Sequence, residues 1–82
     1  MFYVTMTDKF MSGWGMAKDK TNKLIIECQT IEQAEQIERA ARRRSEMRYI
    51  NIRTTKPRYG SNVVESWKTW GDLGEIWTGV TA

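Results

Sequence analysis

Residues 2–7 alternate, with Phe2, Val4 and Met6 on one side and Tyr3, Thr5 and Thr7 on the other, as in a strand that buries one face. The alternation returns from Lys23 to Gln29, where Leu24, Ile26 and Cys28 oppose Ile25, Glu27 and Gln29. It returns again from Met47 to Thr54, where Ile50 and Ile52 oppose Tyr49, Asn51 and Arg53. Between these last two runs the period changes. Ile31, Ala34, Ile37 and Ala41, with Ala40 beside them, form a stripe at helical spacing. Thr30 precedes the stripe with Gln33 three residues on, so each side chain can satisfy the other residue's open backbone N–H. A helix is predicted from Ile31 to about Arg44, anchored by Ile37, with small alanines that let it lie close on a sheet.

Two periods compete near the end of the chain. Val63, Glu65 and Trp67 alternate with Val64, Ser66 and Lys68, whereas Trp67, Trp70 and Leu73 or Gly74 recur at helical spacing. Gly71, Gly74 and Gly79 weigh against a long helix. A strand through about Trp67 and then a short helical turn satisfies both. Before it, Thr55 to Asn62 is polar and turn-rich, and Pro57 requires the third strand to end first. The order strand, strand, helix, strand, strand predicts an α+β fold. A small antiparallel sheet of about four strands carries one α-helix on one face, in a single domain over residues 1–82.

The segment between Asp8 and Asn22 follows neither period. Its run Phe10-Met11-Ser12-Gly13-Trp14-Gly15-Met16 sets large apolar side chains among glycines, where a loop normally needs polar ones. Phe10, Met11 and Trp14 are therefore candidate partner contacts, since tryptophan is enriched among residues that dominate interfaces. The alternative is that they fold back onto the core.

Charge adds a second candidate surface. The net charge is only +3, but Arg39, Arg42, Arg43, Arg44, Arg48 and Arg53 crowd into a short stretch while Glu32, Glu35 and Glu38 lie upstream. Guanidinium groups pair well with phosphates and with acidic protein surfaces, which makes Arg39, Arg42 and Arg43 candidates for contact with a partner. The same residues also have a purely structural reading: Glu35 to Arg39 and Glu38 to Arg42 are favourably oriented helical pairs, and cations near a helix C-terminus complement its dipole. On the sheet face away from the helix, Tyr3 and Tyr49 with Arg53 can meet nucleic-acid bases, joined by Arg42, Arg43 and Arg44 at the helix end.

Composition excludes more chemistry than it suggests. The 82 residues are 40% hydrophobic and include four tryptophans, enough for a compact module with a small core. Trp67, Trp70 and Trp77 read as core and capping residues. There is no histidine, the commonest general base and metal ligand, and the single cysteine, Cys28, can form neither an intramolecular disulfide nor a multi-cysteine metal site. Cys28 reads as a small core residue on an apolar strand face. Gly13-Trp14-Gly15 lacks the spacing and Lys-Ser/Thr ending of a phosphate loop. No catalytic residue, metal or cofactor is expected. The N-terminus has no basic targeting region, and no run approaches the roughly 20 apolar residues of a membrane span, so a soluble, cytoplasmic protein is expected.

The runs Val4 to Gly15, Asn22 to Cys28 and Tyr49 to Ile52 resemble small proteins encoded by phages and other mobile elements, a group that brings no transferable function. Size and lack of catalytic apparatus resemble those of anti-CRISPR proteins, short single-domain inhibitors that bind host Cas complexes. That resemblance implies a non-enzymatic inhibitor of a host nucleic-acid-targeting complex, such as a CRISPR effector, acting in the host cytoplasm. The alternative is a small nucleic-acid-binding module. A homodimer paired through an open sheet edge is a third possibility.

Overall fold

The computed structural model describes residues 1–8 and 20–78. The elements are β1 (Phe2–Asp8), β2 (Thr21–Cys28), α1 (Ile31–Arg42), β3 (Met47–Arg53) and β4 (Val63–Thr69). A π-helical turn (Trp70–Gly74) and one α-helical turn, α2 (Glu75–Thr78), follow. This is the predicted ββαββ order with its terminal helical turn. The apolar loop residues Phe10, Met11 and Trp14 lie outside the described residues.

The core forms where the apolar faces of β1 and β2 meet the small-residue stripe of α1. Val4, Met6, Leu24, Ile26 and Cys28 pack against Ala34, Ile37 and Ala41, with Met47 joining from β3. Phe2, Ile50, Ile52, Trp70, Leu73 and Trp77 are partly buried around this cluster, so two of the C-terminal tryptophans close the helix side as expected. Ile31 departs from the expected stripe, being 36% exposed, because it is the first helical residue and the stripe meets the sheet only from Ala34 onward.

Local hydrogen bonds set the ends of α1. The Gln33 N–H donates to Thr30 Oγ1 at 3.2 Å, while Gln33 Oε1 accepts from the Gln29 N–H at 2.9 Å, one residue earlier than the expected reciprocal partner. The helix ends at Arg42 rather than near Arg44, since Arg43 and Arg44 turn their N–H groups onto Ala40 and Ala41 in a tighter closing turn. A second reciprocal pair starts the C-terminal turn. Thr69 N–H donates to Asp72 Oδ2 at 3.1 Å and Asp72 N–H donates to Thr69 Oγ1 at 3.2 Å.

The strands lie in the order β3-β1-β2-β4. β1 pairs antiparallel with both β2 and β3, but β4 runs parallel to β2, so the sheet is mixed rather than wholly antiparallel. The sense of β4 follows from the connection that precedes it. β3 and β4 occupy opposite edges and point the same way, so residues 54–62 must cross the sheet and travel back along it. Three strand spacings and the length of a strand make a diagonal of roughly 25 Å, close to the roughly 30 Å reach of nine extended residues. The crossover is therefore drawn nearly straight, and Pro57, whose ring fixes φ near the extended range, is buried within it.

α1 occupies one face of the sheet and the crossover occupies the other. Ile25 is wholly buried and Thr5 nearly so, although both point away from α1. The face away from α1 thus holds a small second layer.

Replacing Thr30 with Ala is expected to remove about 1 kcal/mol of stability, read as a lower thermal midpoint. An unchanged midpoint would show that the Thr30 hydroxyl does not hold the helix start. The hydrogen bonds from Thr69 hold the Asp72 carboxyl below its ordinary range. Its stabilising contribution is therefore present above the unfolded carboxyl's titration and disappears as pH falls through the lowered value. Asp72→Asn should flatten the acid limb of the stability curve, measured by urea unfolding across that range.

Candidate nucleic-acid interface

Pairing register orders the helix-free face into rows. Running from β3 to β4, the first row is Arg48, Thr7, Lys23 and Glu65, the second Asn51, Thr5, Ile25 and Trp67, and the third Arg53, Tyr3, Glu27 and Thr69. Polar and charged groups gather in the outer rows, while the middle row holds the buried pair Thr5 and Ile25.

The β3 edge carries the most exposed part of this face. Thr5 pairs with Asn51 and Thr7 with Arg48, so Tyr49 and Ile50 together oppose Met6 in a β-bulge. The extra residue lets Met47 and Ile50, three apart in sequence, both support the helix side. Tyr49 takes the left-handed backbone at φ 55° that this geometry needs. Its side chain is 73% exposed. Glycine or asparagine would take that backbone more readily, and a tyrosine there costs about 1–2 kcal/mol.

Several residues singled out from sequence meet at this edge. Arg42 at the end of α1 and Arg48, Tyr49 and Ile50 on β3 line one open depression of about 560 Å³. Arg42 remains mostly exposed, with a 3.5 Å ion pair to Glu38 from the preceding turn, as its spacing predicted. Arg39 and Arg43 are exposed on the same end of the helix, and Arg53 lies at the far end of β3, paired with Tyr3. Two candidates have other work. The Arg44 guanidinium lies 2.8 Å from Glu46 and 4.6 Å over the Trp77 ring, tying the helix end to the C-terminal turn. Tyr3 meets Trp67 edge to face, with ring centroids 6.2 Å apart.

β2 and the crossover contribute side chains that sequence reasoning passed over. Lys23 Nζ donates to Thr7 Oγ1 at 2.6 Å and lies 5.8 Å from the ring centres of both Tyr49 and Tyr59. Its partial burial lowers its pKa from the usual lysine value. Further across, Lys56 Nζ sits 5.3 Å over the Trp67 ring, whose N–H donates to Glu65 at 3.0 Å. Lys56, Arg58 and Tyr59 frame an open cleft of about 680 Å³ with Glu27, Glu65 and Trp67. The available signal was two cations and an aromatic around the lone proline, in a segment that looked like an ordinary turn.

Edge strands invite pairing with other chains, and the bulge together with Arg48 and Arg53 gives this one two features that oppose strand addition. The same arginines, with an outward tyrosine, suit a polyanion. No family model, curated protein or solved structure matches the chain. Among the described residues no group of acidic, cysteine or histidine side chains is arranged to hold a metal ion, and no helix is long and apolar enough to cross a membrane.

Cys28 is fully buried, and desolvation pushes its thiol up to about 11. Alkylation by iodoacetamide near pH 8 should be far slower for the folded protein than for the urea-unfolded chain. Equal rates would contradict its place in the core.

Proposed function

We propose that the protein is a non-enzymatic binding module that engages nucleic acid through the β3 edge and the end of α1. The observation that carries this reading is the depression shared by Arg42, Arg48 and Tyr49. Two exposed guanidinium groups pair with phosphate oxygens, and the tyrosine ring offers a face to a base. The left-handed backbone at Tyr49 supports the reading further, since a large aromatic held there at a conformational penalty points to a use for its side chain.

Phosphate binding releases counterions, so affinity should fall steeply with salt. Replacing Arg42 and Arg48 together with Gln is expected to weaken binding of a labelled oligonucleotide and to reduce the log–log salt slope by roughly 1.5, about 0.7–0.9 per lost phosphate contact. Wild-type affinity and slope in the double variant would rule out this edge. Tyr49→Gly separates function from folding, because it removes the ring while relieving the backbone. Its thermal midpoint should stay level or rise as its affinity falls.

A second reading is a phage or mobile-element inhibitor that docks on a host nucleic-acid-targeting complex, such as a CRISPR effector. Phe10, Met11 and Trp14 would form its apolar anchor, and Arg39, Arg42 and Arg43 would add charged contacts. The observation favouring it is Trp14 between Gly13 and Gly15, in a run with neither helical nor strand period. Trp14→Ala should then lose on the order of 2 kcal/mol or more in partner affinity, with little loss of stability. Strong destabilisation with normal binding by the folded fraction would make Trp14 a core residue.

A further inference from the structure

Tyr49, Lys23 and Tyr59 come from β3, β2 and the crossover, yet they form one aligned group on the helix-free face. The Lys23 ammonium lies 5.8 Å from both ring centres, and its contact with Thr7 fixes it between them. Its described partners are therefore one hydroxyl and two ring faces. Beyond Tyr59, Arg58 is exposed at the mouth of the adjoining cleft. At the other end, Arg48 shares a row with Lys23 and a depression with Tyr49. Three cations and two rings thus share this face: Arg48 and Tyr49 at the β3 edge, Lys23 on β2, and Tyr59 and Arg58 on the crossover.

We propose that the nucleic acid bound here is single-stranded and crosses the helix-free face, with bases on Tyr49 and Tyr59 and a backbone phosphate at Lys23 between them. This rests on the nucleic-acid reading of the β3 edge and extends it to a ligand class and to two further residues, Lys23 and Tyr59. Paired bases in a duplex have their faces stacked on one another, whereas an unpaired strand can splay its bases onto aromatic side chains. A duplex major groove would instead require an inserted helix or two-stranded ribbon. The exposed side of α1 offers Glu32 and Glu35, and the helix-free face carries its own acids, Glu27 and Glu65, in the cleft beside Arg58. The path is therefore set by the two rings and Lys23 rather than by a lack of carboxylates. Trp67 is left out of the path because its ring is engaged twice, by Lys56 over it and by Tyr3 edge to face.

Fluorescence anisotropy with labelled oligothymidine, oligouridine and a DNA hairpin duplex, each about a dozen nucleotides per strand, tests the proposal between roughly 50 and 200 mM salt. The single strands are expected to bind at least about tenfold tighter than the hairpin, and comparison of the first two probes distinguishes a DNA from an RNA preference. Tyr59→Ala should weaken single-strand binding roughly five- to hundredfold with an unchanged salt slope, as for the loss of one base stack. Lys23→Gln should lower both affinity and slope. If Tyr59→Ala melts below the assay temperature, Tyr59→Leu keeps an apolar side chain and removes the aromatic face. Hairpin binding as tight as single-strand binding overturns the proposal. So does wild-type affinity in the folded Tyr59 variant while the Arg42 and Arg48 double variant is still impaired, an outcome that leaves the β3 edge reading standing. Failure of all three probes to bind overturns both.

Discussion

Two strands that point the same way on opposite edges of one sheet cannot be joined by a hairpin. In this chain, β3 and β4 stand in that relation, and the segment between them has only nine residues in which to return. The constraint makes the crossover straight, buries Pro57 and excludes water from Ile25. It also carries Tyr59 and Arg58 onto the face where Lys23 is already present. Thus the same nine residues complete the second layer and assemble a charged aromatic surface. Neither could be achieved by a polar turn at the sheet edge.

The two faces consequently rest on different physics. The α1 face is held by aliphatic side chains and small alanines, and its strength follows apolar area removed from water. The crossover face depends more on directed contacts: Lys23 on Thr7, Tyr3 against Trp67 and Lys56 over Trp67. Each of these is modest and retains a partly exposed group. A surface of this kind can exchange an internal partner for an external one without opening the core. The α1 face has no comparable freedom, since its residues interlock.

Most of the first layer was legible in the sequence because period alone separates these strands from the helix. Thr30 and Gln33 marked the helix start, and Pro57 marked the need for β3 to stop. The sense of β4 was not legible, because alternation at Val63 to Trp67 is identical for parallel and antiparallel neighbours. From that ambiguity follows the omission of Lys23 and Tyr59: without the crossover's path nothing in sequence sets them together. The bulge was equally hidden. Ile50 and Ile52 kept their expected side, but Met47 reaches the same core only because Tyr49 occupies an extra place in the ladder. Of the arginines, charge revealed the cluster but not the division of labour in which Arg44 is held by Glu46 and Trp77 while Arg42 and Arg48 flank a depression.

The parallel ladder between β2 and β4 also has a kinetic meaning. Its partners Thr21 and Val63, or Ile25 and Trp67, are separated by half the chain, and the β1 and β3 partners Val4 and Ile52 by more than half, whereas β1 and β2 are consecutive strands. Closing so large a loop carries an entropy penalty that only the finished contacts repay. The shortest-range ladder is that of the consecutive strands β1 and β2, and both edge strands complete the sheet only when the long loops close. Lys23 belongs to the consecutive pair of strands, and Tyr49 and Tyr59 reach it only with β3 and the crossover. Its desolvation between Tyr49 and Tyr59 then becomes a property of completed tertiary structure, absent from every shorter-range intermediate.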